Sequence, residues 1–318
     1  MGKSRKWIKS EMEKLHPEKD YEQIWRLSIS YKLDDFIMNL FYAAMFPNII
    51  VPEQAARPVW REDGGKVLHR STHRAQQTGN FVSLVSWYGA SDPRTRKAVD
   101  HINSLHRHWM KRYPGDFSDV NDYIYTLSTF AVLQDRLLVT LGLPGLSEKE
   151  KVAAHLFWRD ISQLFYTEGR KPLQQFPGDW NEMISYMEKI ENSRVPGTKQ
   201  AHLAAEAFFD QFAFRYFPWG LRWLGRMLPV CLCLPTTLEA LDIQPVNSIL
   251  SWFVKQCLAI WITVLIDWLP DPKKADWEVR EEQTPSERVK QNKRASDLDK
   301  GFVMYFSRRH RAEIEDIS

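Results

Sequence analysis

The residues of this chain that could do chemistry at helical spacing are a histidine on an apolar stripe, an arginine with a threonine one turn on, and a pair of histidines four apart. In KAVDHINSLHRHWMKRY, residues 97–113, Val99, Ile102, His106, Trp109 and Tyr113 recur at steps of three and four, so they share one helix face. His106 is therefore set among apolar neighbours, whereas His101 and His108 fall with Lys97, Ser104 and Arg112 on a solvated side. An imidazole held away from water disfavours its protonated form. Its free nitrogen then needs a backbone carbonyl, a side chain or a metal.

In LHRSTHRAQQTGNFVSLVSWYG, residues 68–89, an apolar face runs through Phe81, Val82 and Val85. Extended backwards by helical steps it reaches Thr78, Arg74 and Arg70, so Arg74 and Thr78 are expected to point inward. A buried guanidinium is costly unless an anion meets it. Its partner is either a bound acid or an internal carboxylate such as Glu62 or Asp135. His69 and His73 could place two imidazoles on one metal. Their stripe continues through Gln76, Gln77 and Asn80, however, which reads as exposed, and neither a metalloprotease glutamate nor a fixed third ligand accompanies them. His155 and His202 are weaker ligand candidates.

A large core must position these groups. Of 318 residues 44% are hydrophobic, including 13 Trp, 17 Phe and 11 Tyr, which excludes a disordered chain. The net charge of +3 is spread without a basic stripe, so no nucleic-acid partner is expected. Cys231, Cys233 and Cys257 suit neither a disulfide framework nor a zinc site, which points to a reducing compartment. The charged N-terminal stretch lacks the apolar run of a signal peptide, and Gly2 is followed at position 6 by Lys where a myristoylation motif wants Ser or Thr. The longest uncharged apolar run, Gln256 to Ile266, is too short to span a bilayer, so no transmembrane helix is expected. The expected location is intracellular, either cytoplasmic or peripheral to a membrane. Segments 216–235 and 246–269 carry Trp219, Trp223, Trp252, Trp261 and Trp268 beside Arg222, Arg226 and Lys255. Peripheral membrane contact through 216–269 is one reading of that mix and core packing the other.

Helical periodicity dominates the rest. Residues 20–46 read as one or two helices stopped by Pro47, and 47–66 as a connector. Helices follow at 68–89 and 97–113, then a central one at 120–141, capped by Ser118 or Asp119 and apolar on nearly every side. Ser147 with Glu150 forms a capping box that opens a helix to about Tyr166, and further helices are read at 179–192 and 199–217. From Pro270 the composition becomes charged. No internal repeat, glycine-rich phosphate loop or alternating βα pattern occurs. The expectation is an all-α chain with a charged segment 1–19, one large helical domain 20–269 and a solvated tail or loosely docked helix in 270–318.

The order LHRSTHRAQQTGNF (68–81), VDHINSLHRHW (99–109), DVNDYIYTLSTF (119–130) and LSEKEKVAAHLFWRDI (146–161) resembles the oxygenases typified by the ER-bound MpaB enzymes of mycophenolic acid biosynthesis, with the latex-clearing rubber oxygenases. The resemblance covers about residues 36–235. It implies a globin-like helical core holding one haem b, with His106 as the proximal iron ligand. It places Arg74 and Thr78 at the haem pocket, Thr129 at a further pocket position, and Arg70 on the same face. It also implies a small lipophilic, isoprenoid-like substrate whose C=C bond is oxidised or cleaved with O2, in secondary metabolism. The rubber enzymes have an acidic base upstream of the arginine, for which Glu62 is the nearest candidate here and Glu53 the next. The MpaB enzymes carry an N-terminal membrane anchor, and none is read in this sequence. Two alternatives stay open: a non-haem metal-dependent oxidase or hydrolase built on His69 and His73, and a non-catalytic helical module that binds lipid or haem.

Overall fold

The helix read as apolar on nearly every side packs into the core of one half of the molecule. The computed structural model describes residues 5–173 and 175–316, and among these it contains 17 α-helices and no strand, the expected all-α class. The Gly2 motif lies outside the described residues.

The chain opens with α1 (Trp7–Glu13), α2 (Tyr21–Ile29) and α3 (Asp35–Ile49). Pro47 does not stop α3 but lies inside its last turn, buried, where the backbone bond it cannot donate is a small loss against packing. The expected connector 47–66 holds α4 (Glu53–Trp60) and the start of α5 (Gly65–His69), joined at Gly64 and Gly65, both with positive φ. α6 (Ser71–Tyr88), α7 (Pro93–Met110) and α8 (Val120–Thr140) follow, with Asp92 and Asp119 as N-caps. α9 (Glu148–Ser162) starts at the predicted capping box and stops a turn short of Tyr166. Then come α10 (Trp180–Asn192), α11 (Lys199–Tyr216), α12 (Arg222–Leu232) and α13 (Pro235–Ala240). The chain ends with α14 (Ser248–Thr263), prolonged by a π turn Val264–Trp268, and with α15 (Asp276–Glu281), α16 (Pro285–Arg309) and α17 (Arg311–Glu315).

Two cores result. In one, α8 and α9 pack Phe130 on Trp158, ring centroids 5.2 Å apart, with Trp25 of α2 behind. The other surrounds α11, which is buried from Ala201 to Ala213 on most sides and packs against α3, α4 and α12. α6 runs between α3 and α7. A Cβ at Gly79 would come within 2.9 Å of Met38 Cγ, so glycine lets α3 approach and brings Tyr42 and Phe46 beneath Arg74.

Two late segments bear on the surface. Ser248–Trp268 forms 21 continuous helical residues within the Trp-rich stretch 246–269, long and apolar enough by length and composition to cross a membrane. α16 is exposed through its first ten residues and then docks Ala295, Asp299, Phe302 and Phe306 against α5, α6 and α11.

Candidate functional site

α7 delivers its apolar stripe as the spacing requires, and His106 meets Phe117 at 5.1 Å and Tyr123 of α8 at 5.7 Å between ring centroids. Nδ1 lies 3.5 Å from the Tyr123 hydroxyl, and Nε2 makes no hydrogen bond among the described residues. The ring keeps some accessible surface while protein atoms crowd it. Burial, aided by the positive charge of Arg74, takes its pKa from 6.5 to about 4, so it is a neutral imidazole at pH 7.

Arg74 points inward as expected. Its guanidinium donates to the Thr78 hydroxyl one turn on and stands over Phe46 at 5.0 Å and Tyr42 at 5.8 Å. Neither proposed acid meets it. Glu62 is exposed and pairs with Arg112 at 3.1 Å, while Asp135 accepts from the Leu146 N–H at 2.7 Å. Among the described residues Arg74 has no ion pair. Its neighbours are instead cations. The Lys66 ammonium is pushed down by burial and then by Arg74, Arg61 and Arg70, and Arg61 is pushed down by burial with only Asp63 and Tyr113 opposing. The Arg61 guanidinium lies 3.8 Å over the ring of Trp109, which stacks on Tyr113 with ring centroids 6.1 Å apart.

This arrangement sets a guanidinium without an ion pair, among other cations, beside an imidazole nitrogen that makes no hydrogen bond among the described residues. Its chemistry suits an anionic group with a metal to offer, because carboxylates would relieve the cations while Nε2 supplies a lone pair. Haem b fits that donor set.

Other sequence candidates fall differently. Arg70 is exposed between α5 and α6, close enough to Lys66 to repel it. Thr129 is buried on α8, its hydroxyl donating to the Tyr125 carbonyl at 2.7 Å, with no contact to Arg74 or His106. Glu53 pairs with Arg57 at 3.7 Å. His69 Nε2 is taken by the Asp63 carbonyl at 2.7 Å and His73 Nδ1 by Asp299 at 2.6 Å, so the pair converges on no common point. His155 and His202 each bond a backbone carbonyl at 2.7 Å.

Sequence reasoning missed Arg61 and Lys66, whose signal was hidden by the supposed connector. It also missed Glu206, Asp210 and His310, the one group of three or more such side chains among the described residues whose ligand atoms lie within 4.8 Å of one another. That group is already neutralised. Arg226 binds Glu206 at 2.5 Å and Asp210 at 3.1 Å, and Arg309 reaches Asp210 at 3.2 Å. His310 Nε2 lies 3.1 Å from Asp210. Burial alone would lower the His310 pKa, but the bond to Asp210 raises it. Burial alone would raise that of Asp210, but His310 and Arg226 lower it. A metal would have to displace Arg226.

The fold is all-helical, and the family to which the chain belongs makes it an oxidoreductase. The chain belongs to the family described as ER-bound oxygenase mpaB/B'/Rubber oxygenase, catalytic domain, whose model matches residues 34–280. A comparison with curated proteins finds no match. The matched segment runs from the start of α3 into α15, contains both α6 and α7, and ends before α16. An oxygenase takes O2 and a second substrate, and that much of the reaction follows from the family.

Proposed function

We propose that this oxygenase holds haem b in a globin-like pocket between α6 and α7 and oxidises or cleaves a C=C bond of a lipophilic, isoprenoid-like substrate with O2. The observation that carries the reading is His106, an imidazole kept neutral at pH 7 with no hydrogen bond at Nε2 among the described residues, beside Arg74, which has cations for neighbours and no ion pair among the described residues. His106 would ligate the iron through Nε2, with Tyr123 orienting the ring through Nδ1. Haem b, when bound, supplies the iron that activates O2.

The chain's own residues do the rest. Arg74, Arg61 and Lys66 bind the propionates, and Arg70 adds to the attraction from the rim. Thr78 holds the Arg74 guanidinium in place, its own hydroxyl donating to the Arg74 carbonyl at 3.3 Å. Thr129 spends its hydroxyl on its own helix and contributes shape. Phe46, Tyr42 and Phe117 keep water away and accept an apolar chain. Glu62, exposed at the rim, is the proposed base and moves a proton only once released from Arg112. The enzyme meets its substrate at a membrane, through the Trp-rich segment 216–269.

The test is the absorption spectrum of the purified full chain reconstituted with haem b. A Soret band that His106→Ala removes supports the assignment. A colourless protein, or a band unchanged by that substitution, overturns it.

A further inference from the structure

α14 presents to solvent the kind of face that surface helices normally bury. Its outward stripe is Ile249, Phe253, Cys257, Ile260, Val264 and Trp268, apolar along the whole length, while the inward stripe of Val254, Leu258 and Ala259 packs on the body. Trp219 and Trp223, 84% and 58% exposed, continue the apolar surface at the start of α12, which packs on α14.

The helix has the length for a span, about 31 Å at the standard rise. Its two flanks nevertheless belong to one body. Before it, Leu238, Leu241 and Ile243 are buried in the core around α11. After it, Lys6 donates to the Leu269 carbonyl at 2.5 Å and Asp271 accepts from the Ile8 N–H at 2.9 Å. A span would put these flanks on opposite sides of a membrane, so α14 cannot cross one without dismantling the fold.

Beside this surface lies an open groove of about 450 Å³ lined by Phe214, Lys290, Lys293, Arg294, Asp297 and Leu298. Arg222, next to the exposed turn, lies 4.2 Å over Phe214 and so connects the groove to the tryptophans. Lys290, Lys293 and Arg294 have no ion pair among the described residues.

We propose that α14 lies in the plane of a single leaflet of an anionic bilayer, its outward stripe among the acyl chains and the α16 groove on headgroup phosphates. Charge complementarity selects this occupant, because a second copy brought to the same face by a twofold axis would add its own unpaired cations there. The inference deepens the membrane contact proposed above and is independent of haem.

Cys257 provides the test, since it is exposed near the middle of Ser248–Trp268 while Cys231 and Cys233 are buried. The full chain, spin-labelled there, is floated with phosphatidylcholine vesicles with and without phosphatidylglycerol. The expected result is binding that needs the anionic lipid, with the label about 5–10 Å below the headgroups. Ile260→Glu abolishes binding, and replacing Lys290, Lys293 and Arg294 by Ala weakens it roughly fivefold per cation. A label at the bilayer centre overturns the in-plane arrangement. Absence of binding, or a dimer that Ile260→Glu converts to monomer, overturns the membrane as occupant. A missing Soret band would overturn the haem assignment and leave these results standing.

Discussion

His106 and His310 both lie against an aromatic ring, Phe117 at 5.1 Å and Phe306 at 4.4 Å, and both are partly or fully removed from water. Their surroundings are opposite. His310 closes a network in which Arg226 pairs with both Glu206 and Asp210, and although burial alone would lower its pKa, the bond to Asp210 raises it above the ordinary value. His106 lies beside Arg74, which has Arg61 and Lys66 for neighbours and no ion pair among the described residues, and burial holds the imidazole neutral at pH 7. A fold gains from the first arrangement and only loses from the second, since unbalanced buried charge costs free energy wherever it is tolerated. The contrast separates a structural lock from a site kept open for a ligand.

The largest test of that contrast is His106→Ala. It should abolish the Soret band and O2 consumption in the reconstituted enzyme while leaving the apo protein folded by circular dichroism. An apo protein that fails to fold would make His106 a core residue and remove the distinction. Asp210→Ala should act the other way round. Removing the carboxylate leaves Arg226 and His310 without their main partner and should cost about 3–5 kcal/mol by denaturant unfolding, with activity per folded molecule unchanged.

Arg74→Ala is the next step down. Losing one charge-assisted contact of about 1.5–3 kcal/mol should weaken haem binding by roughly ten- to a hundredfold in a titration. Apo stability should stay level or rise, because an unpaired guanidinium is removed from a cationic cluster. A clear fall in apo stability would mean that its position over Tyr42 and Phe46 is structural.

Where the candidate residues sit in the fold was legible from the chain because the signals are local. His106 declares its buried setting through steps of three and four on one helix, and Arg74 with Thr78 through one face of the helix before it. Arg61 and Lys66 were not legible, since a stretch with Pro58, Gly64 and Gly65 reads as a connector, and only the closed turn brings its cations under Trp109 and Arg74. His310 lies 100 residues from Asp210, a separation that no periodicity can bridge. The same holds for Asp299, whose carboxylate accepts from the Thr72 N–H at 2.7 Å and so caps α6, a helix with no side-chain cap of its own. The stretch 246–269 was legible as a helix, whereas its length as an apolar segment was not, because Lys255 and Asp267 interrupt an uncharged run without interrupting a helix.

The smallest effect is the most specific to the comparison, because the two histidines should tilt apo stability in opposite directions with pH. Stability rises with pH wherever the unfolded chain binds more protons than the folded one. Between about 4 and 6.5 the unfolded His106 is protonated and the folded one is not, so stability contributed there is lost as pH falls through that window. For His310 the folded pKa is the higher, so its contribution is complete below the unfolded value of 6.5 and is lost as pH rises through the folded value. Denaturant midpoints across this range should therefore lose their acid-side slope in His106→Gln and their alkaline-side slope in His310→Gln. If both substitutions flatten the same limb, the two histidines share one kind of environment and the division between open site and closed lock fails.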